Sequence, residues 1–139
     1  MTKKIRMFAY GMNTNLDQMA ARCPGAVCLG PAWIDNYALV FRHFADIEPE
    51  VDSYCDGVLW EITDDNLVAL DQLEGYPYHY TRFSVVVNTD RGSDIALVYQ
   101  MVDQSFEQPP SNHYFNTVYE GYEQNNVDTH QLIEILELS

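Results

Sequence analysis

The chain has 139 residues, 47% of them apolar and 13% aromatic, with ten tyrosines; that length can bury one core without disulfide or metal staples, and that composition excludes disorder. Against 21 acidic residues stand 7 basic ones, a formal charge of −14 that repels phosphate backbones and excludes nucleic acid as an expected ligand. No apolar run approaches a membrane span and MTKKIRMFAY holds too short an apolar core for a signal peptide, so the expected address is the cytoplasm.

Lys4 to Tyr10 reads as a first strand, after which Asn13 or Thr14 can cap a short helix carrying Leu16, Met19, Ala20 and Cys23 on one face until Pro24-Gly25 ends it. Alternation from Cys28 to Phe44 predicts one long strand or a hairpin. The polar stretch Asp46 to Asp56, which contains Pro49, reads as a loop, and CDGVLWEI follows as an apolar strand. Thr63 or Asp64 caps a helix with Leu67, Leu70 and Leu73 at helical spacing, and Gly75 occupies the left-handed position at its C-terminal end. Strands Tyr80 to Asn88 and Ile95 to Met101 flank the turn Thr89 to Ser93. Pro109-Pro110-Ser111 opens a helix presenting Tyr114, Phe115, Val118, Tyr119 and Tyr122, and a last helix runs from Thr129 to Leu138. Strands with segregated helices make an α+β class, one domain over 1–139, whose strand count suits a small curled sheet or barrel.

Four places in this pattern bear chemistry. A strand that ends at Tyr10-Gly11 and turns directly into a helix aims backbone N–H groups at one point, where an anion or developing oxyanion can sit; the same residues also make an ordinary strand-to-helix turn. Glu74, in the last turn of its helix and one turn after Asp71, feels the negative dipole end, which favours its protonated form and suits a general acid/base; the alternative is a solvated helix-end acid. Tyr80 and Arg82 share one strand face, so Arg82 is either a partner for a substrate carboxylate or a surface arginine packed on a tyrosine. Tyr114 either offers its hydroxyl to a ligand or packs its ring in the core. His43, His79, His113 and His130 are dispersed and make no metal spacing, so no metal is expected, and Cys23, Cys28 and Cys55 are expected as free thiols.

Three segments, in order, extend this reading. FAYGMN, which is Phe8, Ala9, Tyr10, Gly11, Met12 and Asn13, resembles the Tyr-Gly-Ser-Asn type turn of the γ-glutamyl cyclotransferase family, AIG2-like and BtrG-like members included. DGVLWEITDDNLVALDQLEGY, from Asp56 to Tyr76, is similar to that family's strand and helix ending in Leu-Asp-x-x-Glu-Gly. Tyr99 to Asp128 resembles its closing strand, Pro-Ser segment and helix. The resemblance implies a small mixed β-barrel with flanking helices and no cofactor. It further implies release of 5-oxoproline and a free amine or amino acid from a γ-glutamyl small molecule, by attack of the α-amine on its own γ-carbonyl. Glu74 maps onto the family's catalytic acid, Tyr114 onto a substrate-contacting tyrosine, and Met12 stands where the family usually has serine. A non-catalytic module that kept the fold, either an acidic surface capturing a basic partner or a ligand sensor, is the alternative.

Overall fold

The computed structural model describes residues 3–138, so Met1, Thr2 and Ser139, the ends of the expected domain, lie outside it. Strand β1 (Lys4–Ala9) leads through a one-turn 3-10 helix (Met12–Thr14) into helix α1 (Leu16–Arg22). Two long strands follow, β2 (Val27–Arg42) and β3 (Phe44–Thr63), then helix α2 (Asp64–Glu74), the hairpin β4 (Tyr80–Thr89) and β5 (Gly92–Met101), and helices α3 (Asn112–Gln124) and α4 (His130–Leu138). The strands close into a barrel in the order β1-β3-β2-β4-β5, with β5 returning to β1 through the parallel pair Met7 and Leu97. Phe8, Ile34, Ile47, Val58, Ile62, Val87 and Val98 are buried in the barrel strands. Each such side chain removed from water contributes roughly 1.5–3 kcal/mol. No helix among the described residues is long and apolar enough to cross a membrane.

The loop expected over Asp46 to Asp56 is instead strand. β3 starts at Phe44, directly after a turn at His43 with φ 68°, and pairs back along β2 from Arg42 opposite Phe44 to Val27 opposite Glu61. Two features made it read as loop. Its first polar residue, Asp46, is fully buried because Arg42 pairs with it at 2.8 Å and the Met101 N–H donates to it at 2.8 Å. Further on, the ladder slips between Asp35 and Tyr37, so residues 50–53 bulge outward against Asn36, whose Oδ1 accepts from the Asp52 N–H at 3.2 Å. Pro49, opposite Tyr37, sits at the edge of that bulge, where a missing donor is tolerated.

The helix caps explain the rest of the scaffold. Thr63 and Asn66 form a reciprocal capping box at the start of α2, and Gly75 ends it with φ 67° in the left-handed region. Ser111 caps α3 by accepting from the Tyr114 N–H. At α1 the cap is Asn15, which accepts from Asp17 and Gln18 N–H, and not Asn13 or Thr14 as expected. The 3-10 turn inserted before α1 moves the cap two residues on and leaves the Asn13 side chain available for other partners. Cys23, Cys28 and Cys55 are free thiols.

Candidate active site

A cavity opens where β1 leaves the barrel, lined by Met7, Phe8, Ala9, Tyr10, Gly11, Met12, Asn13, Ala45, Glu74, Tyr80, Tyr99 and Tyr114. The structure therefore brings together the whole Phe8 to Asn13 segment, Glu74 and Tyr114. The turn is held from behind by α3. The Tyr122 hydroxyl donates to the Tyr10 carbonyl at 2.6 Å, Asn125 Nδ2 donates to the Thr14 carbonyl at 2.8 Å, and Asn15 Nδ2 donates to the Thr117 carbonyl at 2.9 Å. Gly121 permits this approach, since a Cβ there would lie 2.4 Å from Thr14 Oγ1 and 2.7 Å from the Asn15 nitrogen. In front, a Cβ on Gly11 would fall 2.8 Å from that of Ala45 and 3.2 Å from the Tyr114 hydroxyl, so glycine keeps the cavity floor open. The N–H groups of Met12 and Asn13 head the 3-10 turn, where the turn itself supplies no acceptor for them.

Glu74 enters from the C-terminal end of α2. Asn13 Nδ2 lies 3.4 Å from its Oε1, and Arg22 Nη1 donates to Asn13 Oδ1 at 2.7 Å, giving a chain Arg22, Asn13, Glu74. Burial raises the Glu74 pKa above the ordinary carboxylate value, while the Arg22 charge and the Asn13 hydrogen bond oppose the rise. Burial is thus the main cause, and Asp71, expected beside the helix dipole as a second influence, is not among the causes. Asp71 is committed elsewhere: it accepts from Arg82 Nε at 2.9 Å, Arg82 Nη2 at 3.1 Å and the Tyr99 hydroxyl at 2.7 Å.

That arrangement also corrects the expectation for Arg82. Its guanidinium grips Asp71 by both nitrogens and lies 4.4 Å over the Tyr76 ring, outside the cavity lining. It pins α2 to β4 and so fixes the helix end that carries Glu74; it is not free to meet a substrate carboxylate. Tyr80, from the same strand, does line the cavity and donates its hydroxyl to the Ala45 carbonyl at 2.8 Å. The Ala45 N–H in turn donates to the Tyr114 hydroxyl at 3.1 Å, and the Met12 N–H also faces that oxygen, so the hydroxyl sits at the head of the turn.

Burial pushes the Tyr114 pKa up to about 12 and raises those of Tyr10, Tyr80 and Tyr99 as well. All four hydroxyls stay protonated near neutral pH, and Glu74 is the one carboxylic acid of the lining, its hold on a proton strengthened by burial. The site can therefore hold a small polar ligand against backbone N–H donors, present neutral hydroxyls to it and shuttle one proton.

A family model described as γ-glutamyl cyclotransferase, AIG2-like, matches residues 7–121, a span that includes the turn, Glu74 and Tyr114. The chain belongs to this family. It is 28% identical to the γ-glutamylcyclotransferase of Bos taurus, covering 86% of this chain and 71% of that protein. It is 26% identical to the one of Mus musculus at the same coverage. A solved structure named γ-glutamyl cyclotransferase superposes with a TM-score of 0.87 at 23% identity, over 96% of this chain and 86% of that one, a likeness that establishes the fold. Family and relatives together indicate γ-glutamyl cyclotransferase-type activity. Sequence reasoning missed Arg22, Ala45 and Tyr99 in this family member's site. Ala45 adjoins the segment that reads as loop, Tyr99 is one of many strand tyrosines, and Arg22 reaches the site only through the freed Asn13 side chain.

Proposed function

We propose that the protein converts a γ-glutamyl amide into 5-oxoproline and a free amine or amino acid, with Glu74 as general acid/base. The observation that carries this reading is that one half-buried carboxylate, its pKa raised by burial, lines the same cavity as the Met12 turn. Glu74 in its ionised form takes a proton from the substrate α-ammonium, freeing the nitrogen lone pair to attack the γ-carbonyl carbon of the same molecule. The γ-carbonyl oxygen gains negative charge as the ring closes, and the N–H groups at Met12 and Asn13 with the Tyr114 hydroxyl are suited to stabilise it. The γ-amide C–N bond then breaks as Glu74 returns its proton to the leaving nitrogen, and the second ammonium proton, still on the ring nitrogen, passes by way of the restored carboxylate to the released amine, which departs as an ammonium and leaves 5-oxoproline with one ring N–H. Nucleophile and electrophile belong to one molecule, so much of the rate comes from holding the glutamyl chain folded between the turn and Tyr114.

The test is mass-spectrometric detection of 5-oxoproline and free amine from a panel of γ-glutamyl amides. The two products are expected in equal amounts. Absence of both from every member, with the protein folded, would overturn the reading in favour of a non-catalytic member that kept the fold.

A further inference from the structure

The chemistry proposed above leaves one wall of the cleft unused. Phe44, the first residue of β3, is 46% exposed, yet its ring stands edge-on to Tyr114 with centroids 5.3 Å apart and an interplanar angle of 71°. It also lies 6.4 Å from the ring of His79. Phe44 and His79 stand just outside the cavity lining, each against residues that belong to it. Tyr114 lines the cavity, as does Ala45, the residue after Phe44. His79 meets Tyr80, a lining residue, edge-on with centroids 4.8 Å apart, and packs against Gly75, the neighbour of Glu74, where a Cβ would lie 3.0 Å from its own. Next to the lining, an aromatic run thus extends from His79, which packs on Gly75 beside Glu74, through Phe44 to Tyr114, while the Asn13 to Glu74 contact lies at the lining itself.

The charge of the lining differs from that of the molecule. Although the chain carries −14, Glu74 is the only carboxylate among the lining residues, so a cationic leaving amine meets no acid beyond the one that moves the proton. Met12 adds a thioether at a position where the resembled turn carries a hydroxyl. A half-exposed aromatic ring beside a concave site gains most by covering its face with apolar surface.

On the γ-glutamyl reading above, we infer that the preferred substrates release an amine or amino acid bearing a large apolar or aromatic group, which packs on Phe44 and His79. Phe44 is then a specificity-determining residue. The test compares kcat/KM for 5-oxoproline release from γ-glutamyl-phenylalanine, γ-glutamyl-alanine and a γ-glutamyl diamine, in the wild type, Phe44→Ala and Phe44→Leu. The wild type is expected to favour the phenylalanine compound over the alanine compound by about tenfold to a hundredfold, the range that burial of a few apolar carbons supplies. Phe44→Ala brings that ratio close to one, and Phe44→Leu, which keeps an apolar side chain at the position, gives an intermediate value. A wild-type ratio near one, or a ratio unmoved by Phe44→Ala, overturns the inference while Glu74-dependent turnover stands. A diamine preferred over both overturns it in favour of selection by charge. No product from any of the three overturns this inference together with the cyclotransferase reading.

Discussion

Glu74 and Arg22 are linked through a single side chain, Asn13, whose oxygen accepts from the guanidinium and whose amide faces the carboxylate. The positive charge lowers the Glu74 pKa that burial has raised, so removing it leaves only the Asn13 hydrogen bond against burial and lets the pKa rise further. In Arg22→Met the acid limb of the kcat/KM profile is expected to move to higher pH, because the base must be ionised to accept the α-ammonium proton; an unmoved limb in a folded variant would contradict the link. The same shift has a sign for stability. A carboxyl whose folded pKa lies above its unfolded one stabilises below the unfolded pKa and loses that contribution as pH rises through the folded pKa. Neutralising Glu74 therefore leaves the fold at neutral pH no weaker, and loss of turnover in Glu74→Gln reports on chemistry. Glu74 was legible from its helix-end position and the three-segment resemblance. Arg22 was not, because Asn13 and Thr14 are both good helix caps by type and only the inserted 3-10 turn frees Asn13.

At the scale of elements, α3 is the clamp that shapes the Met12 turn, and Gly121 is where the two touch. On an isolated helix, Gly→Ala gains about 1 kcal/mol in propensity. Here the added methyl would meet Thr14 Oγ1 and the Asn15 backbone well inside contact distance, and overpacking of this kind costs typically 1–3 kcal/mol. Gly121→Ala is expected to lower stability in urea by about 1 kcal/mol, the overpacking cost less the propensity gain, and to cut kcat/KM by displacing the Met12 turn; a stabilised, fully active variant would contradict the clamp. Most helices were readable because their caps are local: Thr63, Gly75 and Ser111 act within four residues of themselves. The β2–β3 hairpin was only half readable. The buried Arg42–Asp46 pair hides a charge that sequence places outside, and the bulge against Asn36 is a matter of register, which alternation alone does not fix.

For the whole molecule, closure of the barrel was implied by the family resemblance and not by periodicity, since it rests on the long-range pair Met7 and Leu97 with Arg6 reaching Asp94 at 3.4 Å. Net charge acts at this scale too. With 21 acids against 7 bases, self-repulsion weakens the compact state and salt screens it, while the buried Arg42–Asp46 pair is screened little. The melting temperature is expected to rise by a few degrees between about 0.02 and 0.5 M sodium chloride; a fall would mean that exposed ion pairs outweigh the repulsion. The fold and its charge only frame the central claim, that Glu74 moves the proton in a γ-glutamyl cyclisation. The measurement that tests it most directly is the rate of 5-oxoproline formation from one γ-glutamyl amide by the wild type and by Glu74→Gln, with the fold of both checked by circular dichroism. Formation by the wild type and a loss of at least a hundredfold in the folded variant are predicted from the scale of general acid/base catalysis; equal rates would contradict the account.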